Sequence, residues 1–121
     1  MEPSPRELVA ALRAGTQPLL PYLDELAARF AAHEPQVQAF VPEENRFRRL
    51  KQEARTLLAR YFRPEQRPPL FGLPVGVKDI FHVDSFFTRA GSRLPAEVLQ
   101  GTEATVVSQL KAAGALIVGK T

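Results

Sequence analysis

The chain has 121 residues, about the size of one domain, and no cysteine, which excludes disulfides and thiolate chemistry. A net charge of +3 with 24% charged residues describes an ordinary, mildly basic surface, its positive charge mostly arginine. No apolar run approaches the length of a membrane span, and Met1-Glu2-Pro3-Ser4-Pro5-Arg6 leads into an amphipathic segment rather than a secretory signal, so a cytoplasmic, reducing compartment is the expectation.

Ser4-Pro5-Arg6-Glu7 reads as a helix start: Ser4 caps, Pro5 suits the first helical position and Glu7 completes a capping box. Leu8, Val9 and Leu12 make its apolar face and Gly15 ends it. A second helix is predicted from about Pro18, with Leu19, Leu23, Leu26, Ala27 and Phe30 on one face, stopped by His33-Glu34-Pro35. Val37 to Val41 alternates as an extended piece would. Pro42 then opens a third helix with Glu43 and Glu44 in its first turn, where the helix dipole favours acids. Phe47, Leu50, Ala54, Leu57, Leu58 and Tyr61 line its buried face, and six basic residues from Arg46 to Arg60 crowd the rest as a solvated surface.

Arg63 to Pro69 is a charged, proline-rich linker that divides a helical lobe, residues 1–66, from a strand-bearing part, residues 67–121. Leu70 to Asp84 carries a strand around Val75 and Val77, bent by Gly72, Pro74 and Gly76. Asp84 to Pro95 has no clear period. Thr102 reads as the cap of a fourth helix, with Val106, Val107 and Leu110 inward and Gly114 at its end. Ala115-Leu116-Ile117-Val118 reads as a fully buried strand. Strand, loop, helix, strand is the grammar of an α/β unit.

Lys78 lies in the middle of the first apolar strand. A lysine there is costly unless its ammonium is paired or its amine is neutral, though a buried stem with the head in water is the commoner case. Asp79 and Asp84 flank it and suit backbone positioning or an arginine partner. Gly114 to Thr121 has the letters of a phosphate-binding loop, but a helix precedes the first glycine and the intervening residues demand a sheet interior, so that reading is rejected. His33 and His82 lack partners at ligand spacing, which argues against a metal site. Ser4, Ser85, Ser92 and Ser108 include no nucleophile-elbow serine; Ser92, after Gly91, suits a turn. The basic helix carries interleaved acids and no aromatic platform, so nucleic acid is not an expected partner.

Three blocks together carry a resemblance. Gly72-Leu-Pro-Val-Gly-Val-Lys78-Asp79-Ile, then Thr88-Arg-Ala-Gly91-Ser92, then Glu103 through Ala-Ala-Gly-Ala-Leu-Ile-Val-Gly-Lys-Thr121 resemble, in order and spacing, the opening of the amidase signature family. The helical N-terminus with Ala39-Phe40-Val41 is similar to that family's entry helices, so the resemblance covers essentially the whole chain.

The resemblance implies an α/β fold: an N-terminal helical lobe packed on the first strands and helix of a mixed sheet sandwiched by helices, as an incomplete domain. It implies hydrolysis of a carboxamide C–N bond by a serine, a second serine in a cis peptide, and a lysine, with Lys78 matching the catalytic lysine. A lysine base must shed its proton near neutral pH, and burial in apolar surroundings lowers a lysine's pKa from about 10.4 toward that range. Both family serines lie downstream of the Gly-Lys-Thr block, so this chain is expected to be inactive alone, with Lys78 left open to water. Ser85 and Phe87 stand where the family tends to have glycine and proline. A small-molecule amide is the implied substrate, with no cofactor, no metal and no membrane, and with a homodimer compatible. The alternatives are a subunit of an amidotransferase that works on charged tRNA, and a non-catalytic helical interaction module. The Leu116 strand is expected to be an open sheet edge, an aggregation liability.

Overall fold

The computed structural model describes all residues 1–121. Four α-helices and two strands follow in the order α1 (Pro5–Ala14), α2 (Leu19–Val37), α3 (Arg46–Arg60), β1 (Pro74–Val77), α4 (Thr105–Ala112) and β2 (Leu116–Lys120), with short 3-10 turns at Pro64–Gln66 and Ala96–Leu99. The mixed α/β class read from the sequence is the observed one.

The N-terminal capping box forms as read: Ser4 Oγ accepts from the Glu7 amide and the Glu7 carboxylate accepts from the Ser4 amide. Such a cap is worth about 1 kcal/mol. α2 departs from expectation, because it runs through Pro35 to Val37. A proline so near the end forfeits its own backbone donor, but the turn is rebuilt around it. Gln38, left-handed at φ 49°, donates to the Glu34 carbonyl at 2.8 Å, and the Glu34 carboxylate takes the Phe40 amide at 2.9 Å. Val37 is therefore helical rather than extended. Val41 supplies the hydrogen bond from this piece to the sheet, donating to the Lys120 carbonyl, and the Phe40 ring packs over Gly76 and Gly119.

α3 begins later than expected, at Arg46, after a left-handed Asn45. Glu43 and Glu44 lie before the helix, and Glu43 is engaged by Arg46 and Arg49 rather than by the dipole. The predicted buried face holds, with Leu50 and Ala54 fully enclosed. α4 likewise starts at Thr105, with Ala104 rather than Thr102 at the cap position. Glu103 organises that start: its carboxylate accepts from Ser108 Oγ at 2.7 Å, from the Asp84 amide at 3.2 Å and from Lys111. Val107 points inward as read, but Val106 is about half exposed.

β1 and β2 pair in parallel, Pro74 against Leu116 and Val77 against Lys120, with a register shift between Val75 and Gly76. All five β2 residues are buried: Leu116, Ile117 and Val118 as the apolar run predicts, and Gly119 and Lys120 beyond the predicted stretch. One core cluster joins Leu12, Leu19, Leu23 and Leu50 from the helices to Phe71, Leu116 and Val118; a smaller one joins Val77, Val83, Val107 and Ile117. Fully burying a leucine stabilises by about 1.5–3 kcal/mol, so the contacts between helices and β2 are what seat the strand pair.

Candidate active site

β1 ends at Val77, so Lys78 lies just beyond the strand's C-terminal end rather than in its middle, because the chain turns at Ile80 and Phe81. Thr121 donates to the Val77 carbonyl at 2.8 Å and accepts from the Asp79 amide at 2.8 Å, so the backbone is held on both sides of Lys78. The Lys78 carbonyl accepts from the Ile80 and Phe81 amides. Its neighbours Val77 and Asp79 are buried, while Lys78 itself is exposed. Ile80, Phe81 and Phe87, the large apolar residues nearby in sequence, are exposed as well.

Asp79 does not take an arginine. Its Oδ1 accepts from Lys120 Nζ at 2.7 Å, and its Oδ2 accepts from the Arg89 amide at 3.2 Å. Lys120 is 2% exposed and also donates to the Phe87 carbonyl and Thr88 Oγ1, each at 3.4 Å. Thr88 Oγ1 lies 2.9 Å from His82 Nδ1. The loop after Lys78 is thus fastened back onto β2 by a buried ion pair. In the sequence, Lys120 reads as a letter of the rejected phosphate loop and of the third resemblance block, with no role of its own. Its signal is nonetheless there: a lysine ending the most apolar run in the chain, where burial demands a counter-charge.

The basic face of α3 is only partly solvated. Arg46 is buried, donating to the Val118 carbonyl at 2.8 Å and the Val41 carbonyl at 2.9 Å, its guanidinium 4.9 Å and 5.1 Å from the Phe30 and Phe40 ring centres. Arg49 donates to the carbonyls of Ile117 and Val118, each at 3.0 Å, and to Glu43. Burial lowers the Arg46 pKa. At Arg49 burial also pulls downward, but hydrogen bonding to Glu43 and the Glu53 charge outweigh it, and the net shift is upward. With the Val41 amide on the Lys120 carbonyl, three β2 carbonyls are occupied, so the strand is less open than its sequence suggested.

Ser92 is a turn residue, its Oγ donating to the Arg89 carbonyl at 2.7 Å. Ser85 sits at φ 72°, in the left-handed region that glycine occupies without a Cβ clash. Gly114 ends α4 and β2 follows directly, an arrangement unlike a phosphate loop. No group of three or more His, Asp or Glu side chains is arranged to hold a metal ion, and no helix is long and apolar enough to cross a membrane.

Comparison with known proteins gives these features a context. The family model described as Amidase matches residues 22–121. The glutamyl-tRNA(Gln) amidotransferase A subunit of Roseiflexus sp. (strain RS-1) is 36% identical over 110 residues, covering 91% of this chain and 22% of that protein. The protein of the same name from Lysinibacillus sphaericus (strain C3-41) is 34% identical over 119 residues, 98% of this chain and 24% of the relative. A solved structure described as a vestigial protein complex that reveals the evolutionary origins of an s-triazine catabolic enzyme superposes with a TM-score of 0.79 at 31% identity, over 94% of this chain and 25% of that one. The chain thus spans about a quarter, or less, of the length of these relatives. With the family model covering most of the chain and the fold matching, this protein belongs to the amidase family.

Proposed function

We propose that this chain supplies the lysine base of a site that cleaves a carboxamide C–N bond through an acyl-serine intermediate. The observation that carries the reading is the placement of Lys78: its backbone is fixed on both sides at the C-terminal end of a parallel strand, and its head is free. Open α/β sheets put their ligand sites beyond the carboxyl ends of their strands. In this mechanism a neutral Lys78 amine takes the proton of a bridging serine. That serine in turn deprotonates the nucleophilic serine, which attacks the amide carbon, and the proton returns to the departing amine. Backbone amides hold the oxyanion, and water then hydrolyses the acyl-serine. Neither serine is taken from Ser4, which caps α1, Ser92, which closes a turn, or Ser108, which donates to Glu103, and Lys78 alone is assigned within residues 1–121.

The experiment is turnover of a simple aryl amide by the protein that carries this chain, with and without Lys78→Ala. Loss of a general base lowers the rate by about 100- to 10,000-fold; unchanged turnover overturns the reading. A second reading, a subunit of an amidotransferase that works on charged tRNA, is supported by the names of relatives that align with more than nine-tenths of the chain. It uses the same lysine and differs in the fate of the ammonia. Amide cleavage that accelerates when charged tRNA is added favours the amidotransferase; indifference to tRNA favours the free-standing hydrolase.

A further inference from the structure

The geometry points to Lys120 as a positioning residue for Lys78, acting through Asp79. The inference rests on the reading of Lys78 as the base and extends it to a residue that never meets the substrate. Lys120 spends all three ammonium donors inside the protein, on Asp79 Oδ1, the Phe87 carbonyl and Thr88 Oγ1. Asp79 spends its other oxygen on the Arg89 amide, and its carbonyl on the Ala90 amide at 2.9 Å. One buried ion pair therefore ties three places together: the last residue of β2, the residue directly after Lys78, and the far end of the loop that follows.

A lone hydrogen-bonded strand end frays, and the residue beyond it samples many directions. Here the residue beyond β1 cannot move without drawing a carboxylate off a buried ammonium, and an unpaired charge in that position is strongly unfavourable. The Thr121 hydrogen bonds and the turn at Ile80 and Phe81 fix the Lys78 backbone locally, while its exposed side chain has no partner of its own, so the ion pair is what anchors the loop beyond it. A base must sit within hydrogen-bond reach of the proton it takes, and small misplacements cost rate steeply. A buried cation fixed opposite the backbone of an exposed one supplies that placement without occupying the space where substrate and serines meet.

The test uses two variants, Lys120→Met, which keeps the length and apolar stem, and Asp79→Asn, which keeps the shape. The first readout is amide hydrogen exchange in residues 1–121. The Arg89 and Ala90 amides should lose protection by at least tenfold in either variant, while Leu23 and Leu50 keep theirs. The second readout is turnover by the protein that carries the chain, where kcat should fall at least tenfold with KM within twofold. Unchanged exchange at Arg89 and Ala90 overturns the inference. So does deprotection spread evenly over the core, which marks Lys120 as filler, and so does a full kcat in either variant when Lys78→Ala is inactive. If Lys120→Met does not fold, the isosteric Asp79→Asn decides by the same criteria. Turnover retained by Lys78→Ala removes the base itself, and the exchange experiment then still reports whether the ion pair holds the loop.

Discussion

Arg46 Nη1 donates to the Val118 carbonyl at 2.8 Å across 72 positions of sequence, and it reaches that oxygen because Gly119 has no side chain: a Cβ there would overlap the guanidinium. The two residues act as one device, a cation laid flat against a strand. Arg46→Ala removes the donor for the half-buried Val41 carbonyl and half of the pair serving Val118, and should destabilise by about 2–4 kcal/mol. Gly119→Ala should cost a similar amount, and the double variant little more than either alone, because both changes break the same contact. Arg48→Ala, on an exposed position, should stay within about 0.5 kcal/mol. Urea unfolding midpoints of the four variants measure all of this; additive losses would separate Gly119 from Arg46.

Gly114 joins α4 to β2 at φ 95°, and a Cβ there would stand 2.7 Å from Pro68 Cγ and 2.9 Å from Phe71 Cα. Backbone cannot yield as a side-chain tip can. Gly114→Ala should therefore destabilise by about 2–4 kcal/mol, combining left-handed strain with overpacking. Gly91 has a similar φ of 70° but open space around it. Gly91→Ala should show the strain alone, about 1–2 kcal/mol. Thermal or urea unfolding of the two variants should rank them in that order.

Glu103 gives the chain an acid-sensitive joint. Burial pushes its pKa upward, but the hydrogen bonds from Lys111, Ser108 and the Asp84 amide, with the Lys111 charge, bring the net value below the ordinary 4.5. A depressed carboxyl pKa contributes stability that is complete above the ordinary value and disappears as pH falls through the lower, folded one. The start of α4 should accordingly loosen in acid below about pH 4.5. Glu103→Gln should be less stable than the parent at neutral pH and should lack part of its loss on acidification. Urea midpoints between pH 3 and 7 (roughly the range over which carboxylates matter) check it; parallel curves would refute it.

Lys78 should behave as a residue the fold does not need. It is exposed and its side chain takes no part in the hydrogen bonds or ion pairs of the site, so Lys78→Ala should leave the unfolding midpoint within about 0.5 kcal/mol of the parent. Lys120→Ala, which leaves Asp79 buried and unpaired, should cost about 3–5 kcal/mol. The contrast between Lys78, just past the end of β1, and Lys120, at the end of β2, separates a functional role from a structural one by equilibrium unfolding alone.

The same contrast explains what could be read from the sequence. Elements built on local rules were legible: the Ser4–Glu7 box, the apolar face of α3 around Leu50 and Ala54, and the buried Leu116-Ile117-Val118 part of β2 follow from spacing within a few residues. The misplacements fall where distant partners decide. Pro35 is retained in α2 because Gln38 and Phe40 rebuild the turn beyond it. Arg46 and Arg49 look like a solvated face until β2, some seventy positions on, offers its carbonyls. In the site, the motif marked Lys78, but the rule that a lysine in an apolar run needs a partner applied with more force to Lys120. Which of two such lysines is buried depends on strand register, and register is a property of the pair rather than of either strand.

That register contains a discontinuity. Val75 faces Ile117 and Gly76 faces Gly119, so Val118 is an extra residue in β2. Successive side chains in a strand point to opposite faces, and removing one residue before Lys120 would turn its ammonium to the other side of the ribbon, away from Asp79. β2 should therefore accept exchanges among aliphatic side chains far more readily than the gain or loss of a single codon. In this stretch the count of residues carries as much of the design as their identities.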